Sequence, residues 1–272
     1  MDAAVVRISV APVKSLGLVH PREVDLEYRG VRGDRRFWMV DRNGRLLNNK
    51  RHGPMVTVLP SWDEASRELT LRFPDGTVVT DTVRLGERVA AVLYGRPHPS
   101  RRVLGPWEAA LRDFVGEPLT LLWSEEHATD RGAAGGAVSL VSRSSLDRLA
   151  VEARAESPVD GRRFRMLLEI DGVPPHGEDD WIGSVVCVGA AEIVVNGDVG
   201  RCVVTSHDPD RGIADLDTLG ALAAYRREGR VEPLPFGVYG TVTVPGRVRV
   251  GDSVRAGGSR RTPVTPTQAT AG

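Results

Sequence analysis

Two cysteines in 272 residues are too few for a disulfide framework, or for a four-thiolate iron–sulfur or zinc site built from this chain alone. Lysine is equally scarce: Lys14 and Lys50 are the only two, and arginine supplies the rest of the 36 basic residues. A net charge of either sign is missing too, 36 bases against 36 acids, so no overall field draws the chain to nucleic acid or to an anionic membrane. There is no long apolar run. The stretch 182–191 is broken by Gly183, Ser184 and Gly189 and stops at Glu192, well short of the ~18 residues of a membrane span. Asp2 and Arg7 interrupt the apolar residues at the start, so no secretory signal is expected and the cytoplasm is the expected compartment. No phosphate loop, dinucleotide fingerprint or His-Glu-x-x-His zinc helix is present, and the six histidines are scattered singly. The run 132–136 lacks a Gly-Lys-Ser/Thr ending and reads as a plain loop.

What is abundant is turn chemistry. Thirty glycines and 18 prolines point to many turns and few long helices, in a chain long enough for one large domain or two modest ones. Short β-prone runs at 5–10, 23–28, 37–41, 55–59, 68–73 and 77–80 predict antiparallel strands in the first half. Asn43-Gly44 and Asp75-Gly76 each lie between two such runs and predict hairpins. The stretch 95–105, with three arginines and two prolines and no periodicity, predicts the join of two halves. Beyond it, 107–114, 144–154 and 216–226 read as helices, the second with Ser144 as its expected cap. Residues 167–170, 185–188, 192–195 and 203–205 read as strands, and 241–250 as a last strand pair turned at Pro245-Gly246. The expected fold is therefore mostly β with a few helices (α+β). A first domain over 1–100 and a second over 101–256 are expected to pack together, and the small polar residues of 257–272 predict a disordered tail.

Cys202 lies in Gly200-Arg201-Cys202, before Asp208-Pro209-Asp210. A neighbouring guanidinium favours thiolate, the form that binds metals and attacks electrophiles. The alternative is a buried small hydrophobe, which is the reading given to Cys187 between its valines. Several separated motifs run in order through 5–254: Pro12-Val13-Lys14-Ser15, Asp34-Arg35-Arg36-Phe37-Trp38, Leu140-Val141-Ser142, Arg162-Arg163-Phe164-Arg165, Glu178-Asp179-Asp180-Trp181, Gly200-Arg201-Cys202, Asp208-Pro209-Asp210 and Phe236-Gly237-Val238-Tyr239. In these the sequence resembles the MOSC-domain proteins with an N-terminal β-barrel domain, the family of the mitochondrial amidoxime reducing component.

The resemblance implies two β-barrel domains around a molybdenum cofactor, with Cys202 as the metal's protein ligand. Lys14, Ser15, Arg36, Ser142, Arg165, Gly200 and Arg201 match its cofactor-binding positions, and Tyr239 a position near the metal. It implies an oxidoreductase acting on N-hydroxylated small molecules, fed by a separate donor protein that is ferredoxin-like or a flavin reductase. Persulfide sulfur transfer on Cys202, or carriage of the cofactor without turnover, are the alternatives. For several residues the structural reading stays open: a surface charge for Lys14, an outward strand charge for Arg36, an ion pair of Arg165 with Glu169, a cap for Ser142, a core aromatic for Tyr239. Asp208-Pro209-Asp210 is expected to make a turn, and Glu178 to Asp180 to order a loop or line the substrate mouth. Two departures stand out. Met166-Leu167 replaces the Pro-Asn that usually follows the family arginine, and Gly200 stands where some relatives have serine.

Overall fold

The computed structural model describes residues 3–125 and 136–257. The run 132–136 falls outside these except for Gly136, as does the tail beyond Gly257. Seven strands close into a barrel in the order Ala3–Ile8, Leu168–Asp171, Val138–Ser142, Pro235–Val244, Ala191–Gly200, Val185–Val188, Ser253–Gly257 and back to Ala3–Ile8. Its core is aliphatic, with Val5, Ile8, Leu140, Leu168, Ile170, Val186, Ile193, Val195 and Val238 all buried. β-branched side chains suit a pleated wall with one buried face, and the strand Ala191–Gly200 buries every second residue from Ala191 to Gly197. The first strand of the chain thus completes the barrel of the second half. Glu23–Glu27 also crosses over, pairing with Gly246–Arg249.

The other unit has a five-stranded sheet in the order Leu46–Leu47, Phe37–Asp41, Leu119–Ser124, Arg96–Leu104, Arg84–Leu93. A three-stranded sheet of Leu59–Asp63, Glu68–Arg72 and Val78–Thr82 faces the same core. That core is aromatic where the barrel's is aliphatic: Phe37 and Trp107 are fully buried, and the Phe37 and Trp123 rings meet edge-on at 5.1 Å. Both predicted hairpins are present.

Three helices accompany the strands. Helix Trp107–Val115 ends at Gly116, whose φ of 82° only glycine adopts without strain. Helix Arg143–Glu152 is capped by Ser142, which accepts from the Ser145 N–H, and not by Ser144 as expected. Helix Thr218–Tyr225 is capped by Asp217.

Four element readings are corrected. Residues 203–205 lie in the 3-10 turn Val203–Ser206, because the Cys202 carbonyl accepts from both N and Oγ1 of Thr205. Residues 53–57 form another 3-10 turn, with the strand beginning only at Leu59. The stretch 95–105 is mostly the strand Arg96–Leu104, and the sheet runs on to Ser124. Pro97 and Pro99 fit there because the registered pairs to the Leu119–Ser124 strand cover only Ser100 to Arg102. Gly246–Arg249 does not pair with the strand before it but with Glu23–Glu27.

The two halves touch backbone to backbone at Gly53 and Gly212. A Cβ on Gly53 would come within 1.8 Å of the Gly212 carbonyl oxygen, and one on Gly212 within 2.1 Å of the Gly53 oxygen. Only glycine permits this approach, and a cleft lined by residues of both halves runs between them.

Candidate functional site

A cavity of about 190 Å³ lies in that cleft, and Cys202 lines it. Cys202 is half-buried at the point where the chain leaves strand Ala191–Gly200 for the turn Val203–Ser206. Its position is held from both sides: Gly200 N–H donates to Glu232 Oε2 at 2.9 Å, and Arg201 N–H to the Leu234 carbonyl at 3.2 Å. A Cβ on Gly200 would stand 2.6 Å from Glu232 Oε2, so this carboxylate fills the space that a serine side chain would need.

From the first half come Lys14 and Ser15. Lys14 is anchored by its N–H on the Phe37 carbonyl at 2.8 Å; its side chain is buried, with Nζ 5.2 Å from the Tyr94 ring centroid. Arg35 forms a buried ion pair with Asp34 at 2.5 Å and donates across the cleft to the Arg165 carbonyl at 2.8 Å. Arg165 reciprocates by donating to the Leu16 carbonyl at 2.7 Å. The halves are therefore stitched together by the residues that line the cavity.

Backbone strain is concentrated here. Among the described residues eight that are not glycine have positive φ, and four of them, Ser15 (74°), Arg35 (49°), Tyr94 (51°) and Arg165 (54°), line this one cavity. Such conformations cost of order 1–3 kcal/mol each and persist at sites where side-chain direction matters.

Of the residues singled out from sequence, Lys14, Ser15, Arg165, Gly200, Arg201 and Cys202 line the cavity together. Arg201 does so with its guanidinium engaged in its own half, donating to the Phe236 and Phe164 carbonyls and meeting Met166 Sδ at 2.9 Å. Met166, one of the two departures, thus packs under that arginine. Three residues are elsewhere. Arg36 stacks on Trp123 at 4.1 Å, and burial lowers the pKa of its guanidinium. Ser142 is fully buried as a helix cap. Tyr239 is half-buried in its strand and paired with Ser139 and Gly197, outside the lining.

Glu169 pairs with Arg7 and Arg143, not with Arg165. Glu178 is fully buried, accepting from Ser145 Oγ and from the Ser142 N–H; desolvation pushes its carboxyl above the usual range. It orders the start of helix Arg143–Glu152. Asp208 Oδ1 accepts from the N–H groups of Asp210 and Arg211, the turn expected of that segment.

Sequence reasoning missed Arg35, Asn49, Lys50 and Tyr94, all in the lining. Lys50 carried a signal, since the chain's two lysines converge on one cavity. Arg35 lies on the turn before strand Phe37–Asp41 with a φ of 49°, and it lines the cavity while its neighbour Arg36 stacks on Trp123. Among the described residues no three His, Cys, Asp or Glu side chains are grouped to hold a metal, and no helix is long and apolar enough to cross a membrane.

Residues 2–92 match the MOSC N-terminal beta barrel domain and residues 127–255 the MOSC domain. The mitochondrial amidoxime-reducing component 1 of Mus musculus is 34% identical over 122 residues, covering 42% of this chain and 35% of its own. A molybdenum cofactor sulfurase of Drosophila willistoni is 25% identical over 248 residues, covering 85% of this chain and 30% of its own. The matches thus span about a third of the length of these relatives. Among solved structures, the YUAD protein from Bacillus subtilis aligns with a TM-score of 0.46 at 13% identity, over 93% of this chain and 94% of that one.

Proposed function

Because the chain belongs to the MOSC-domain proteins that carry the N-terminal MOSC beta barrel domain, we propose that it is a molybdenum-cofactor-dependent reductase of N-hydroxylated compounds. The observation that carries this reading is the meeting, in one cavity between the halves, of a half-buried cysteine with Lys14, Ser15 and Arg165.

The donor set suits the cofactor. A pterin ending in a phosphate needs cationic and N–H donors, which Lys14, Lys50 and Arg165 supply, and a soft metal centre accepts thiolate. When bound, the cofactor would supply a two-electron centre able to take the oxygen of an N–O bond, with Cys202 as the metal's protein ligand.

The chain's residues do the rest. The Arg35 and Arg165 exchange across the cleft fixes the spacing of the two walls. Glu232 and the Leu234 carbonyl hold the backbone that presents Cys202. Electrons would come from a separate donor protein.

The test is to express the chain in a host that makes the cofactor, measure molybdenum per chain, and assay benzamidoxime reduction with an artificial electron source. The wild type should hold molybdenum and reduce the substrate. Cys202→Ser should lose more than about 100-fold in activity, since even outer partners of a metal ligand are worth about 10–100-fold. Full activity in Cys202→Ser would sink the proposal, and metal-free protein carrying cyanide-labile sulfur would replace it with sulfur transfer.

A further inference from the structure

Next to the Cys202 cavity the cleft holds a second one, of about 260 Å³. Asn49, Arg163, Arg165 and Val204 line both, so the two are adjoining arms of one cleft. Their chemistry differs. Two of the second arm's three arginines are matched by acids, while Arg165 donates to the Leu16 carbonyl: Arg162 makes a two-pronged bond to Asp210, at 2.7 Å on each side, and a further one to Asp160. Arg163 is held in the same way by Asp215, at 2.6 and 2.8 Å. Burial lowers the pKa of His20, so that imidazole adds no charge at neutral pH. The rest of the wall includes Leu18, Val56, Leu59 and Pro74.

Three side chains that line this arm carry a buried polar atom with no hydrogen-bond partner, Asn49 Nδ2, Arg163 Nε and His207 Nδ1. Asn49 is only 5% exposed. An amide N–H left unpaired at such a place costs about 1–3 kcal/mol, which an acceptor on a ligand would recover. An anion gains little from arginines already bonded to carboxylates, whereas an uncharged molecule with one acceptor meets both features of the wall.

We propose that this second arm binds the uncharged apolar body of a small organic molecule, oriented by a hydrogen bond from Asn49 Nδ2 to its acceptor atom. The identity of the occupant rests on the reductase reading: it is the carbon skeleton of the N-hydroxylated substrate, whose N–O group then faces the adjoining arm with Cys202.

The site is tested first without turnover. Benzamide is titrated into the metal-free full-length chain by ligand-observed NMR, with benzoate as the charged comparator. Benzamide should bind more tightly than benzoate. Leu59→Trp, which fills the arm, and Asn49→Ala, which removes the donor, should each weaken benzamide at least about fivefold, a little over 1 kcal/mol. Unchanged affinity in both variants, or a preference for benzoate, overturns the proposal.

In cofactor-loaded protein Leu59→Trp should raise KM for benzamidoxime with kcat unchanged. If wild type reduces benzamidoxime and neither variant moves KM, the second arm is not the substrate site and the reductase reading survives. If benzamide binds as expected but no N–O reduction occurs, the reductase reading fails and the binding site stands.

Discussion

On the first-half wall of the cleft, Lys14 and Lys50 line the cavity, Lys14 over the Tyr94 ring and Lys50 without an ion pair among the described residues. On the second-half wall, Arg162 and Arg163 are each matched by acids of their own half, and Arg201 bonds to its own carbonyls. The same kind of charge therefore has two uses. Where carboxylates accompany it, as at Arg162 and Arg163, it rigidifies the wall; Lys14 and Lys50 instead border the Cys202 cavity. The barrel of the second half presents Cys202 and its arginines from strand ends and tight turns, and the first half brings in Lys14 beside Ser15, whose φ is 74°.

The contrast breaks most severely where the walls meet. Gly212→Ala would place a Cβ 2.1 Å from the Gly53 oxygen at a φ of 70°, and should cost about 2–4 kcal/mol. By thermal unfolding that is a fall in Tm of roughly 5–15 °C. A Tm within a degree of wild type would mean that the glycine contact does not hold the halves together.

Removing charge from the first wall should have a smaller effect, confined to the ligand. Lys14→Ala should leave the fold intact and weaken cofactor retention about 10-fold or more, the worth of one charge-assisted hydrogen bond. Molybdenum per chain after dialysis at rising salt reads this out directly. Equal retention in wild type and variant would remove Lys14 from the cofactor site.

The smallest effect lies behind the second wall. Desolvation raises the Glu178 carboxyl above its ordinary value of 4.5, so the folded chain holds that proton more tightly than the unfolded one. Its contribution to stability is thus fully present below about pH 4.5 and is lost as pH rises through the folded value. Denaturant unfolding of Glu178→Gln should lack this decline and match or exceed wild type near neutral pH. A wild type whose stability rises over that range relative to Glu178→Gln would reverse the assignment.

Much of this was readable in the sequence wherever the signal is local. Asn43-Gly44 and Asp75-Gly76 announce their hairpins because the turn demands those residues. Ordered motifs bring Lys14, Arg165 and Cys202 forward because each has a fixed role in one ligand site. What could not be read depends on distant pairing. Nothing in Ala3–Ile8 says that it closes a barrel with Leu168–Asp171 and Ser253–Gly257. The prolines of Arg96–Leu104 disguise a strand whose partner is missing only at one end. Arg35 and Arg36 are indistinguishable until the turn that precedes Phe37–Asp41 is known, and Ser142 reads equally as a ligand contact or a cap. Asn49 carries no motif at all, and only its buried, unpaired Nδ2 marks it.

Anomalous diffraction at the molybdenum edge, from crystals of the cofactor-loaded chain, would test the central claim most directly. A single peak in bonding contact with Cys202 Sγ, in the cavity lined by Lys14 and Arg165, is the expected result. Stoichiometric molybdenum with its peak anywhere else would contradict it.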